Sequence, residues 1–426
     1  MLLSPTAGVS YQYRLIRVFD RIAQGLEFLR RPWRAEELIE SACRRERRDD
    51  FGDWSFVTPL AVLLRSYETE ARLTAFGRLA AQWDMLRLLS NLLQLREAEK
   101  RDPRLLDESV EEPIFILGLP RSGTTFLHNL LAQDPANLVP RAWQTIFPYP
   151  RGRGGKRGDR RCEMVARRFR AFVKLVPELP SLHPLDARGA QECTDITAHV
   201  MRSMRFDMTH HVPSYADWLE REGHLEAYRF HKRFLQHLQH QAGTGRWVLK
   251  SPDHIFALDA LFKVYPDARL VFVHRDPLRV LPSVARLTEI LRRPFARFVD
   301  RTEVGEQAST RWSKGASLLV AAADRLQDTP ERLFHLHHEE LVRRPVAAID
   351  ALYGHFGVGL SDLAREAMRQ WVALRPNGGY GRNIYRWEDY GLDPAVEERR
   401  FRAYMTRFKI SPETVTDGRR ARIAGS

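Results

Sequence analysis

The sequence predicts an α/β fold: a parallel sheet flanked by helices, preceded by an all-helical extension. Three observations predict it. Short apolar runs stand at Ile114–Leu117, Arg246–Lys250, Ala268–His274 and Leu333–Leu336. Runs of this length, rich in Val, Ile, Leu and Phe, read as strands buried on both faces. Helix-like segments separate them, and strands alternating with helices imply a parallel sheet. A Gly-containing turn, Gly118 to Gly123, joins the first run to a helical segment.

In chain order, residues 1–110 read as the helical N-terminal region. Leu15, Phe19, Ile22, Leu26 and Leu29 recur at helical spacing, with Arg14, Arg17, Arg21, Arg30 and Arg31 off that stripe. Such a helix can rest on an anionic membrane; packing on the protein's own core is the preferred reading. A second helical stretch is expected from about Pro59 to Glu99, broken by Asp102-Pro103. Residues 111–400 read as the α/β unit, with a helical insertion at 143–241. Residues 401–426 read as a C-terminal helix and tail. There is no internal repeat.

The chain has 426 residues, 44% hydrophobic and 28% charged, which excludes disorder and fibrous repeats. Lys and Arg number 67 against 54 Asp and Glu, a net charge of +13 that points to an anionic partner. Much of this charge crowds into 151–170, where Arg151, Arg153, Lys156, Arg157, Arg160, Arg161, Arg167, Arg168 and Arg170 stand. Aromatics do not interleave in its Gly-rich part, so nucleic-acid binding is not expected. The three cysteines, Cys43, Cys162 and Cys193, form no disulfide or metal pattern. The N-terminus lacks the pattern of a signal peptide, and no run has the length of a membrane span. The expectation is a cytoplasmic protein, with peripheral contact at the inner membrane surface as an open alternative.

The strongest motif is Gly118-Leu-Pro-Arg121-Ser122-Gly123-Thr124-Thr125, with Phe126 to Leu131 continuing as helix. Strand, Gly turn and helix make a phosphate cradle from backbone N–H groups and the positive helix end. The bland reading, a turn with a Ser or Thr cap, explains less of this context. P-loops that hydrolyse nucleoside triphosphates carry Lys after the second Gly. Thr124 stands there instead, which argues against a triphosphate ligand and against a kinase or NTPase.

On these residues the segment Pro113–Leu131 resembles the 5′-phosphosulfate loop of the sulfotransferases that use 3′-phosphoadenosine 5′-phosphosulfate (PAPS), in the form found in a bacterial branch. The resemblance implies a P-loop-like fold, PAPS as co-substrate, and Arg121, Ser122, Gly123, Thr124 and Thr125 as ligands of its 5′ end. It extends to Leu270-Val-Phe-Val-His-Arg275 with Ser283 eight positions on, the family's 3′-phosphate pair. A guanidinium at a strand end offers a fork to phosphate. Asp276-Pro277 also reads as a helix cap and first turn. In Arg246-Trp-Val-Leu-Lys250-Ser-Pro, the resemblance places Lys250 beside the transferred group, where it offsets charge on the bridging oxygen. Ser251 reads as a cap. Glu339–Pro345 looks like a structural connection, and Gly381–Leu392 like the branch's late Gly-rich segment, which makes Arg382 a further nucleotide ligand. The resemblance covers roughly 111–400 and implies no metal.

The acceptor's proton needs a base. In this branch a Glu often follows a Trp after the loop, but here Gln144 follows Trp143. Glu192, Asp195 and His199 fall at helical steps and are expected on one face. Glu192 also matches an acidic position of the branch and is taken as the catalytic candidate; His199 and His183 are alternatives, and His128 reads as core. The expected reaction is sulfuryl transfer to a hydroxyl or amine, with Lys250, Arg121 and Glu192 catalytic. The rival is a nucleotide-binding scaffold that has lost activity, motivated by Gln144. The acceptor is open among small molecules, lipids and carbohydrates. Trp143, Phe147, Tyr149, Tyr215, Trp218, Tyr228 and Phe230 either line its pocket or belong to the core.

Overall fold

The structure, a computed structural model, describes residues 16, 18, 20, 31–150, 160–375 and 385–413. The N-terminal stripe at Leu15, Phe19, Ile22, Leu26 and Leu29, the basic residues of 151–159, and Arg382 lie outside the described residues.

Helices α1 (Ala35–Glu46), α2 (Val57–Thr69) and α3 (Ala75–Arg101) precede the sheet. The stretch expected from Pro59 to Glu99 is therefore two helices. Thr74 makes the break: its Oγ1 accepts from Gly77 N at 3.0 Å and donates to Phe295 O at 3.1 Å. A Thr N-cap is a local sign of a helix start, one the sequence reading passed over.

The sheet has five strands, all parallel, in the order β2-β3-β1-β4-β5. They are β1 (Ile114–Gly118), β2 (Asn137–Leu138), β3 (Arg246–Lys250), β4 (Arg269–His274) and β5 (Leu333–His337). The sequence reading missed β2, whose two residues carry no pattern. Between β1 and β3 come α4 (Thr124–Leu131), α5 (Ala142–Ile146), α6 (Arg161–Leu175), α7 (Leu179–Leu182), α8 (Thr194–Thr197), α9 (Arg205–Thr209), α10 (Pro213–Glu222) and α11 (Leu225–Ala242). Then follow α12 (Leu258–Val264), α13 (Pro277–Arg292), α14 (Arg301–Arg325), α15 (His338–Arg343), α16 (Pro345–His355), α17 (Asp362–Ala373) and α18 (Pro394–Arg407).

Every residue of the central strand β1 is buried. Strand alternation sends its side chains to two cores. Ile114 and Ile116 pack with Leu127, Val271 and Leu352, while Phe115 and Leu117 pack with Leu88, Leu249 and Phe272. The second core also takes in Ala35 to Leu64 and Phe401, so the N-terminal helices and α18 share it with the sheet. Glu99 on α3 is held by Arg233 Nη2 at 2.7 Å and His237 Nε2 at 3.0 Å, which ties α3 to α11. The chain leaves β1 and returns on either side, to β3 and to β4. The carboxyl ends of these three strands thus meet at a switch point, where α/β sheets bind ligands.

Candidate active site

The loop after β1 stands at that switch point. Gly118 has φ 150°, and a Cβ there would sit 2.4 Å from Val273 O, so only glycine lets β1 run this close to β4. Gly123 (φ 97°) starts α4, and Arg121 between them is also left-handed at φ 64°. The bend turns the first N–H groups of α4, which have no partner within the helix, toward the cleft. Ser122 is buried and donates to Leu119 O at 2.6 Å, so it braces the loop. Thr124 and Thr125 line the cleft.

Register aligns Ile116 of β1 with Lys250 of β3. The Lys250 side chain is buried, its Nζ donating to Thr125 Oγ1 at 3.1 Å and to Glu192 Oε1. Backbone geometry makes this meeting: Cys193 N donates to Lys250 O at 3.0 Å, and Gln191 N to Pro140 O at 2.7 Å. Burial alone would raise the Glu192 carboxyl, but Lys250, together with His183 and His128, brings it below the ordinary carboxylate range. His183 also lines the cleft, and burial, with Lys250 and Arg121 adding to it against the opposing pull of Glu192, lowers its imidazole to about 4. His128 is a core residue, bonded to Val248 O at 3.0 Å and lowered by burial to about 3.

Arg275 and Ser283 sit across the loop from Lys250. Arg275 Nη1 donates to Arg121 O at 2.7 Å, and Arg121 Nε donates to Ser283 Oγ at 3.2 Å. The two expected phosphate motifs therefore touch. Asp276 caps α13 as expected, its Oδ1 accepting from Leu278 N at 2.9 Å. Ser251 likewise accepts from Asp253 N at 3.1 Å. Sequence reasoning missed three neighbours: Arg279 and His338, which line the same cleft, and Glu413, paired with Arg275. Arg279, one turn beyond Arg275 on α13, was open to inference; nothing local marks Glu413.

Arg121, Thr125, His183, Glu192, Arg275 and Ser283 line one cleft of about 1660 Å³. One part is polar, with Arg121, Thr124, Thr125, Glu192, Arg275 and Ser283. The lining also has Phe76 and Trp83 of α3, Phe169 and Phe172 of α6, and Leu287 and Phe295 from α13 and beyond it, with charged Asp84, Arg87, Arg168, Asp195 and Arg205 on it as well and Arg168 stacked on Trp83. Tyr385, the first described residue of the Gly381–Leu392 segment, lines it too and donates to Arg279 O at 3.3 Å.

Three expectations are corrected, and one open alternative is decided. Glu192, Asp195 and His199 do not share one helical face: Glu192 precedes α8, and His199 follows in a 3-10 turn, Ala198–Val200. His199 is buried away from the cleft, its ring held by Asn91 Nδ2 at 3.0 Å and by Asp195 O and Ile196 O at 3.1 Å. Gln144 does not face the cleft; its Oε1 accepts from Arg141 N at 3.0 Å and closes the first turn of α5. None of the aromatics Trp143, Phe147, Tyr149, Tyr215, Trp218, Tyr228 and Phe230 lines the cleft. They pack inside, as Tyr149 does on His237 Nδ1 at 2.7 Å and Trp143 does under Arg161.

Among the described residues, no group of three or more His, Cys, Asp or Glu is placed to hold a metal ion. No described helix is long and apolar enough to cross a membrane.

A parallel sheet with a Gly-rich loop at its switch point, and basic side chains at three strand ends, has the architecture of an α/β enzyme with its cleft at the carboxyl ends of the strands. The family model described as the sulfotransferase family matches residues 113–362, and the chain belongs to that family. It is 25% identical over 294 residues, 65% of this chain and 70% of the relative, to the omega-hydroxy-beta-dihydromenaquinone-9 sulfotransferase Stf3 of Mycobacterium bovis and of Mycobacterium tuberculosis. The solved sulfotransferase STF1 of M. tuberculosis H37Rv superposes with a TM-score of 0.76 at 31% identity, over 87% of this chain and 99% of that one. For sulfotransferase STF9 of Mycobacterium avium the TM-score is 0.80 at 30% identity, over 89% and 97%. The expected fold class and the bacterial branch are both borne out.

Proposed function

We propose that this protein moves the sulfuryl group of PAPS to the hydroxyl of an apolar, lipid-like acceptor. The observation that carries this reading is the position of Lys250, buried between Thr125 of the loop after β1 and Glu192, both of which line the cleft. The residues present suit the nucleotide: a cradle for the 5′ end at Arg121 to Thr125, and a guanidinium–hydroxyl pair for the 3′-phosphate at Arg275 and Ser283. Arg382 belongs to the same proposal as a further ligand. When bound, PAPS supplies an activated sulfuryl group on a good leaving phosphate.

The chain's residues do the rest. The loop and Arg275 fix the nucleotide at both ends, so the acceptor oxygen meets the sulfur in line. Lys250 offsets the negative charge that grows on the bridging oxygen, and Arg121 supports it. Glu192 takes the acceptor proton. As Lys250 turns to the leaving oxygen it stops pulling the Glu192 carboxyl down, which makes that carboxylate a better base at the moment it is needed.

The acceptor class follows from the wall of Phe76, Trp83, Phe169, Phe172, Leu287 and Phe295, which suits a prenyl or alkyl chain better than a sugar. The lipid substrate in the name of Stf3 supports the same class. A lipid acceptor implies work at a membrane surface, and the exposed Arg167 and Arg170 of α6 are charged to meet anionic headgroups. We place the protein in the cytoplasm with peripheral contact of this kind.

Calorimetry with adenosine 3′,5′-bisphosphate, AMP and ATP with Mg²⁺ tests the nucleotide reading. The bisphosphate should bind far more tightly than either; equal binding of ATP would refute it. Glu192→Gln should abolish transfer and leave bisphosphate binding intact. Full transfer in that variant, with loss in His183→Asn, would move the base to His183.

A further inference from the structure

The arginine expected to hold the 3′-phosphate is already engaged by a carboxylate of this chain. Arg275 Nε lies 2.8 Å from Glu413 Oε1, and its Nη2 lies 3.1 Å from Oε2. This is the two-point fork by which arginine meets carboxylates and phosphates alike. Arg279 Nε stands 3.7 Å from the same carboxylate. The backbone also places it: Glu413 N donates to Asp276 Oδ2 at 2.8 Å, on the residue that caps α13. Burial works against the charged carboxyl, but Arg275, His338 and Arg279 more than offset it and hold it below its ordinary value. Glu413 is thus an anion at neutral pH, within a site built for one. It has no part in the transfer chemistry derived above.

One guanidinium fork cannot serve two anions at full strength. We infer that Glu413 is a built-in occupant of the 3′-phosphate subsite, which a nucleotide bearing a 3′-phosphate must displace. The inference rests on the sulfotransferase reading of Arg275 and Ser283. The contact competes with that phosphate alone. It lowers affinity for the bisphosphate by the fraction of molecules in which Arg275 is free, and it leaves a nucleotide without a 3′-phosphate unaffected. Glu413 then acts as a competitor that responds to the cofactor's distinguishing group.

The test is calorimetric titration of wild type, Glu413→Ala and Glu413→Gln with adenosine 3′,5′-bisphosphate and with AMP. Because the pair is half-exposed, the expected gain for Glu413→Ala is modest, about three- to tenfold tighter bisphosphate binding. Glu413→Gln should show a smaller gain in the same direction, with AMP affinity unchanged in both. Weaker bisphosphate binding in the variants would overturn the inference, since it would make Glu413 a support that positions Arg275. Equal gains for both nucleotides would overturn it too, as a general charge effect. If wild type itself fails to prefer the bisphosphate over AMP, the reading of Arg275 fails and takes the inference with it. A preference that persists without any gain in the variants defeats the inference alone.

Discussion

On one side of the cleft, Arg121, Lys250 and Arg275 stand at or just beyond the ends of three neighbouring strands, placed by backbone register. On the other, Phe76, Phe172 and Phe295 arrive from helices and a loop far apart in sequence and are placed only by side-chain packing. The polar side depends on a few backbone conformations that tolerate little change, such as Gly118 against Val273 O. The apolar side depends on shape and tolerates exchange of one bulky side chain for another. Substitutions on the first side should therefore abolish chemistry or nucleotide binding, and those on the second should alter acceptor choice.

The largest effect is expected at Lys250. Lys250→Met should cut the transfer rate about 10³-fold, the size typical for loss of one preorganised charge-stabilising group. Bisphosphate binding should persist, which separates chemistry from capture. Next comes Arg275→Ala, which should weaken the bisphosphate about 10²-fold, as expected for a charge-assisted pair. AMP should bind as before, so the selectivity between the two nucleotides collapses. On the apolar side, Phe172→Ala should raise the KM for a long-chain alcohol about tenfold, in line with the area removed from contact. The bisphosphate affinity should not move. If Phe172→Ala changes nucleotide binding as much as acceptor KM, the two sides are not independent.

A separate effect concerns stability rather than either side of the cleft. Burial lowers His128 and His199 to about 3 and His183 to about 4, each from 6.5. In the unfolded chain these rings take up protons near 6.5, while the folded chain refuses them until much lower pH. Their contribution to stability is therefore complete above 6.5 and is lost as pH falls toward 4. The slope reaches about 1.4 kcal/mol per pH unit for each ring. Urea melts between pH 7.5 and 4.5 should show it; stability that does not fall across that range would contradict the buried, neutral state of these rings.

The same contrast explains what the sequence allowed to be read. The β1–loop–α4 unit was legible because glycine spacing records a backbone need. Arg275, Ser283 and Lys250 were legible only through the resemblance to the sulfotransferases, since a lone Arg, Ser or Lys near a strand end carries little signal by itself. The aromatic wall was not legible, because Phe76 or Phe172 in a helix has the same spacing as any core residue. The aromatics for which the sequence left pocket and core both open, Tyr215 and Phe230 among them, are core. The break at Thr74 has a local cap that was not read, whereas the pairing of Glu413 with Arg275 is a tertiary event without local signature. Gln144 looked like a lost base because its neighbourhood matched a pattern; it closes the first turn of α5 instead, and Glu192 reaches Lys250 from another segment.

The central claim is that one cleft joins a PAPS site to a lipid-sized acceptor site. Mass spectrometry of products formed from PAPS with a prenyl alcohol, and separately with a monosaccharide, tests it most directly. The account predicts a sulfate ester on the prenyl alcohol, none on the sugar, and no product from either with Lys250→Met. Sulfation of the sugar at an equal rate, or product formation undiminished in Lys250→Met, would contradict it.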